Sequence, residues 1–102
     1  MTFDEYIEHT KKTAGCGEQP TTLALGLCGE TGEVADLIKK KEGAQQRYIP
    51  LSEIREELGD VLWYWVGLCL YYGIEPVKAM EANVAKLQRR YPDGFVPGGG
   101  VR

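Results

Sequence analysis

An all-α fold of four helices, a bundle-like subunit that oligomerises through those helices, is what this sequence predicts. Two observations carry the prediction. Four segments repeat apolar residues at helical spacing between start and stop signals, and no segment alternates apolar and polar residues as a half-buried strand would. The connectors are short, which makes successive helices antiparallel neighbours.

The first helix is expected from about Phe3 to Thr13. Thr2 and Glu5 form a capping box, Phe3, Tyr6, Ile7 and Thr10 share one face, and Gly15 and Gly17 stop the helix. The second helix starts near Pro20 or Thr21, since proline is tolerated in a first turn, and ends near Lys41, before Gly43. Lys39, Lys40 and Lys41 fall in its last turn, where cations suit the helix dipole. Residues 43–51 form a connector. The third helix is expected from Ser52, a good N-cap, to about Tyr72, with Gly73 as its stop. Ile54, Leu58, Val61, Leu62, Trp65 and Cys69 share a face, and the second half of the helix is apolar nearly all round. Such a helix is buried on several sides, which a lone small bundle can hardly arrange, so a partner subunit is expected to cover part of it. The fourth helix begins at Glu75-Pro76 and ends before Pro92, with Val77, Met80, Val84, Leu87 and Tyr91 as its core stripe.

The 102 residues suit one domain, over 1–92, followed by a flexible Gly/Pro-rich tail over 93–102. Hydrophobic residues make up 43% of the chain, enough for a core. The net charge of -3 argues against binding nucleic acid, which requires clustered Lys and Arg. Three cysteines without a CxxC pair argue against a disulfide framework or a structural zinc site and favour a reducing cytosol. The polar N-terminus does not read as a signal peptide. The longest apolar run, 61–72, is too short to span a bilayer comfortably, so no membrane association is expected.

The chemistry concentrates in two acid pairs of identical spacing, Glu30/Glu33 and Glu57/Asp60. Residues three apart sit on one helix face. Glu30 is the informative one. On a helical wheel it falls inside the stripe of Leu23, Leu27, Val34, Leu37 and Ile38, where an unpaired carboxylate is costly. If the second and third helices pack as antiparallel neighbours, the four acids converge and repel, and a hard divalent cation relieves that repulsion. An all-carboxylate set disfavours zinc and a di-iron bundle, since the single histidine, His9, lies far from both pairs in sequence. Taken singly, Glu33, Glu57 and Asp60 also suit a solvated face. Glu56 and Asp36 read as surface residues.

Asn83, Lys86 and Arg90 line up within roughly 60° on the fourth helix. An amide, an ammonium and a guanidinium in one row can grip phosphate oxygens. They also suit an ordinary charged face. Together with the acids they suggest a metal–polyphosphate site. Among the aromatics, Tyr64 shares the stripe of Glu57 and Asp60 and is the candidate for sugar or base contact. Gln19, Thr21 and Thr22 in segment 15–22 are further polar candidates.

At these residues the sequence resembles the MazG-like nucleotide pyrophosphohydrolases of the all-α NTP pyrophosphatase superfamily, in the compact bacterial or phage form. That family carries EExxE…ExxD on two helices and Lys-x-x-x-Arg on a later one. Here GETGE puts Gly29 in place of the first Glu of the doublet and keeps Glu30 and Glu33, EELGD supplies Glu57 and Asp60, and Lys86 and Arg90 match the basic pair behind Asn83. The likeness covers roughly residues 20–95. It implies hydrolysis of a nucleoside triphosphate to monophosphate and pyrophosphate, with two or more Mg²⁺ or Mn²⁺ ions held by Glu30, Glu33, Glu57 and Asp60. It also implies a homodimer or homotetramer with sites near subunit interfaces, working in the bacterial cytosol, or a host's if phage-encoded. Glu33 is then the candidate for orienting the water, Glu57 is expected to be indispensable, and Asn83, Lys86, Arg90 and Tyr64 are expected to bind substrate, a deoxynucleotide such as dGTP. Two alternatives stay open: a non-catalytic oligomeric helical module with a structural cation, and a phosphoribosyl-ATP pyrophosphohydrolase.

Overall fold

The computed structural model of the chain describes residues 1–14 and 19–94. Its elements are four helices in the order α1 (Phe3–Ala14), α2 (Pro20–Glu42), α3 (Leu51–Tyr71) and α4 (Pro76–Arg90), with no strand among the described residues. The expected tail from residue 95 onward, and the stop at Gly15 and Gly17, lie outside the described residues. None of these helices is long and apolar enough to cross a membrane.

Local chemistry explains the ends. At α1 the capping box forms in both directions: the Thr2 amide donates to Glu5 Oε1 at 2.8 Å, and the Glu5 amide donates to Thr2 Oγ1 at 3.1 Å. Both oxygens satisfy donors that the first turn leaves unpaired. Proline opens α2 and α4, as expected. The start of α3 differs from expectation. Pro50, in extended conformation, is its N-cap, and Ser52 already lies inside the helix. Proline fixes the entry angle here, so no side-chain cap is needed. At the other end, the Gly73 amide donates to Leu70 O at 3.2 Å and the Ile74 amide to Cys69 O at 2.8 Å. That pair of bonds is a Schellman stop, and Gly73 adopts the left-handed φ of 69° it requires.

The antiparallel pair α2 and α3 forms the body of the fold, and α1 lies against α3. The core is small: Ile7 and Thr10 from α1, Leu23 from α2, Ile49 from the connector, and Val66 and Cys69 from α3. Val66 is its centre, at 0% exposure. Thr10 is buried because its hydroxyl donates back to the Tyr6 carbonyl at 3.1 Å.

Part of the expected α3 stripe and most of the expected α4 stripe are not buried. Leu58 and Leu62 on α3 point outward, Leu58 at 52% exposure. On α4, Val77, Met80, Val84 and Leu87 are 38–53% exposed. On α4 the reason is that, among the described residues, the helix packs only against α3. The radius of gyration is 16.6 Å, where a compact domain of this length has about 13 Å. The periodicity of both stripes is real, but Leu58, Leu62 and the α4 residues Val77, Met80, Val84 and Leu87 are left largely uncovered among the described residues.

Candidate metal centre

Glu30 stands in the middle of α2, one turn beyond Gly26, and Glu57 and Asp60 stand on the facing part of α3. The interhelical contact brings carboxylate oxygens of Glu30, Glu57 and Asp60 within 4.8 Å of one another. Glu30 and Glu57 are half-buried and Asp60 is exposed. One oxygen of each glutamate, Oε2, is shut off from solvent and has no hydrogen-bond partner among the described residues. A buried acceptor without a donor is costly, and two side by side are costlier.

The electrostatics follow from that geometry. A hydrogen bond with Glu30, which can form only when a proton sits between the two carboxyl groups, holds the Glu57 carboxyl above the ordinary glutamate range. Burial adds to the shift, as do the charges of Glu30, Asp60 and Glu53. On α1, burial pushes the Tyr6 phenol up; a hydrogen bond with Thr10 opposes the shift, and the charge of Asp60 adds to it. Tyr6 therefore belongs to the surroundings of the cluster.

The remaining expected site residues are placed differently. Glu33 is exposed, and the three-acid cluster does not include it. Asn83, Lys86 and Arg90 are exposed on α4, which makes no packing contact with α2. Tyr64 is half-buried one turn beyond Asp60, and its ring lies against α2 at Gly26. The indole of Trp63 stands edge-on to that ring, with centroids 5.0 Å apart and planes at 90°. Trp63 Nε1 donates to Thr13 Oγ1 at 2.7 Å, tying α1 to α3. Glu56 and Asp36 are exposed as expected, and Asp36 pairs with Lys40 at 2.8 Å. Gln19, Thr21 and Thr22 are exposed, and residues 15–18 lie outside the described residues.

The donor set suits a hard divalent cation. All three groups offer oxygen, none offers nitrogen or sulfur, and the unpartnered Oε2 atoms are acceptors that a cation would satisfy. The chain is thus a small all-helical domain with an acid cluster held between two antiparallel helices, a place a metal ion could occupy.

Comparison with known proteins makes this specific. The family model of the MazG nucleotide pyrophosphohydrolase domain matches residues 18–95, and the chain belongs to that family of nucleoside triphosphate pyrophosphohydrolases. It is 33% identical over 82 residues to the Gene 37 protein of Mycobacterium phage L5, covering 76% of this chain and 71% of that protein. It is 35% identical over 79 residues to dCTP pyrophosphatase 1 of Rattus norvegicus, covering 72% of this chain and 46% of the rat protein. For dCTP pyrophosphatase 1 of Homo sapiens the identity is 37% over 79 residues, covering 72% of this chain and 46% of the human protein. The chain thus spans about half the length of the dCTP pyrophosphatases it matches. No solved structure matches it.

Proposed function

We propose that this chain hydrolyses a deoxynucleoside triphosphate to the monophosphate and pyrophosphate, at a divalent-cation site built on Glu30, Glu57 and Asp60. The observation that carries the reading is the pair of buried, unpartnered Oε2 atoms of Glu30 and Glu57. Family membership supports it, and the names of the mammalian relatives point to a deoxynucleotide. The base is the finer question. Nothing about the site favours the purine expected from the sequence, and dCTP is the substrate the relatives' names carry.

Glu30, Glu57 and Asp60 would hold Mg²⁺ or Mn²⁺, with Glu33 joining as a further ligand if two or more ions bind. When bound, such ions neutralise phosphate oxygens and acidify a water molecule. Glu33, exposed one turn beyond Glu30 on α2, would orient an attacking water towards the α-phosphorus and take up its proton. The new bond forms between the water oxygen and the α-phosphorus. The bond from the α-phosphorus to the α–β bridging oxygen breaks, and pyrophosphate departs. Lys86 and Arg90 bind its charge, with Asn83 contributing an amide. Tyr64 meets the sugar or base.

The basic residues reach the acids across a subunit boundary in this reading. Among the described residues α4 packs only against α3 and not against α2, which carries Glu30, so Asn83, Lys86 and Arg90 have no packing contact with the α2 side of the acid cluster. The bare stripes of α3 and α4 are apolar surface that a homodimer or homotetramer would cover. A cytosolic setting fits a nucleotide-pool substrate.

The test is direct. Purified protein is incubated with each dNTP and NTP, and with phosphoribosyl-ATP, in Mg²⁺ or Mn²⁺, and monophosphate and pyrophosphate are quantified. Release of pyrophosphate from a deoxynucleotide is expected. Turnover of phosphoribosyl-ATP alone, or of nothing, overturns the reading.

A further inference from the structure

Gly26 lies in the interior of α2, where glycine is the least favoured residue after proline. The helix itself has no use for it there. The neighbour does. A Cβ at position 26 would overlap the edge of the Tyr64 ring, reaching Cε1 and Cζ and coming within 2.7 Å of Cδ1. At Gly29 and Gly32 on the same helix, and at Gly59 on α3, a Cβ would meet nothing within 4 Å. The missing side chain at 26 is therefore a notch filled by an aromatic ring. The same ring also meets Trp63, at 5.0 Å between centroids with the planes perpendicular, and Trp63 is anchored to α1 through Thr13.

The position of the notch gives it a role. Gly26 precedes Glu30 by four residues, and Tyr64 follows Asp60 by four. Because α2 and α3 run antiparallel, both displacements lead to the same end of the acid cluster, by about 6 Å along the helix axes. A ring at that spacing stands past the phosphates gripped at the acids and level with the sugar. Its apolar face and phenolic tip suit a deoxyribose, which offers both.

We propose that Gly26 is a positioning residue for the nucleotide: it lets the Tyr64 ring of α3 pack onto α2 beside the acid cluster, so that the ring forms the wall against which the sugar end is held. This rests on the nucleotide reading above. Gly26 touches no substrate and acts through Tyr64.

The experiment compares wild type, G26A, Y64A and G26A/Y64A by circular dichroism, Tm, Mn²⁺ affinity, and kcat and KM for the deoxynucleotide that wild type turns over. G26A is expected to keep its helix content and Mn²⁺ affinity, to raise KM about tenfold, and to change kcat by less than about threefold. In the Y64A background the same substitution is expected to leave KM unchanged. Thermal stability gives a second signature. G26A lowers Tm when Tyr64 is present and raises it in Y64A, because alanine then gains helix propensity without a clash. A folded G26A with wild-type KM overturns the proposal, as does an equal KM penalty with and without Tyr64. If G26A alone fails to fold, the Tm of G26A/Y64A against Y64A decides: a higher value supports the seat, and an equal or lower one overturns it. Absence of turnover by wild type defeats the nucleotide reading, while the reversal in Tm still judges the Gly26–Tyr64 seat.

Discussion

Glu30 and Glu57, on facing helices, each bury an Oε2 atom that no donor among the described residues meets, and the contact between their carboxyl groups holds Glu57 above its ordinary range. The metal-free protein carries that frustration at the place where the acids converge. Residues elsewhere in the core do not replace it: Val66, Leu23 and Ile7 are aliphatic and bury without a polar cost.

Replacing Glu57 with Gln separates catalysis from stability. The amide supplies a donor towards Glu30 and removes one negative charge from the cluster. Turnover is expected to fall below detection, while the metal-free variant melts at a higher temperature than wild type. Added Mn²⁺ should then give it little further stabilisation. Calorimetry with and without Mn²⁺, beside the pyrophosphate assay, checks this; a variant with wild-type turnover would refute the assignment of Glu57.

The pH dependence has a definite sign. An acid whose pKa is raised on folding binds more protons in the native state between its unfolded value, 4.5, and its folded one. The Glu57 contribution therefore favours folding below that window and is lost as pH rises through it. Asp36 and Glu5 act oppositely: their carboxyls are lowered, Asp36 mainly by hydrogen bonding to Lys40 and Glu5 by hydrogen bonding to Thr2. Metal binding has the clearer signature, because it requires the acids ionised. The Tm gain from Mn²⁺ is expected to grow as pH rises from 4.5 through the raised Glu57 value. A gain independent of pH would count against a carboxylate site.

If basic residues act across a subunit boundary, two inactive variants complement each other. E57Q lacks a metal ligand and R90A lacks a phosphate contact, but a mixed oligomer contains sites that are intact in both respects. Mixing the two after mild dissociation should restore about a quarter to half of wild-type activity in an assembly with closed two-fold symmetry. No recovery, with exchange confirmed by mass spectrometry, would place Arg90 in the same chain's site or outside any site.

The tie between α1 and α3 is testable alone. W63F removes the donor to Thr13 Oγ1 and keeps an aromatic ring edge beside Tyr64. A loss of about 1 kcal/mol is expected from the hydrogen bond, read by urea denaturation. T13V should cost about the same, and the double variant no more than either alone. At the core centre, V66A should cost on the order of 2 kcal/mol, since the site is closed on all sides.

Much of this protein was legible in its residues. Helical periodicity, the Thr2–Glu5 box, the prolines at α2 and α4 and Gly73 determined the number, order and ends of the helices almost to the residue, because these are local effects within one turn of chain. Glu30 stood out because its wheel neighbours are apolar. What sequence could not decide was which faces meet. The stripes of α3 and α4 read as core, yet Leu58, Val84 and Leu87 lie bare, since periodicity records that a face is apolar and says nothing of what covers it. Only the packing of α2 on α3 selected Glu30, Glu57 and Asp60 from the acids available and left Glu33 outside. Only that packing brought Tyr64 onto Gly26, whose sole sequence signal was a glycine inside a helix. Distances between residues far apart in the chain depend on the angle and depth at which two helices dock, and no single helix carries that information.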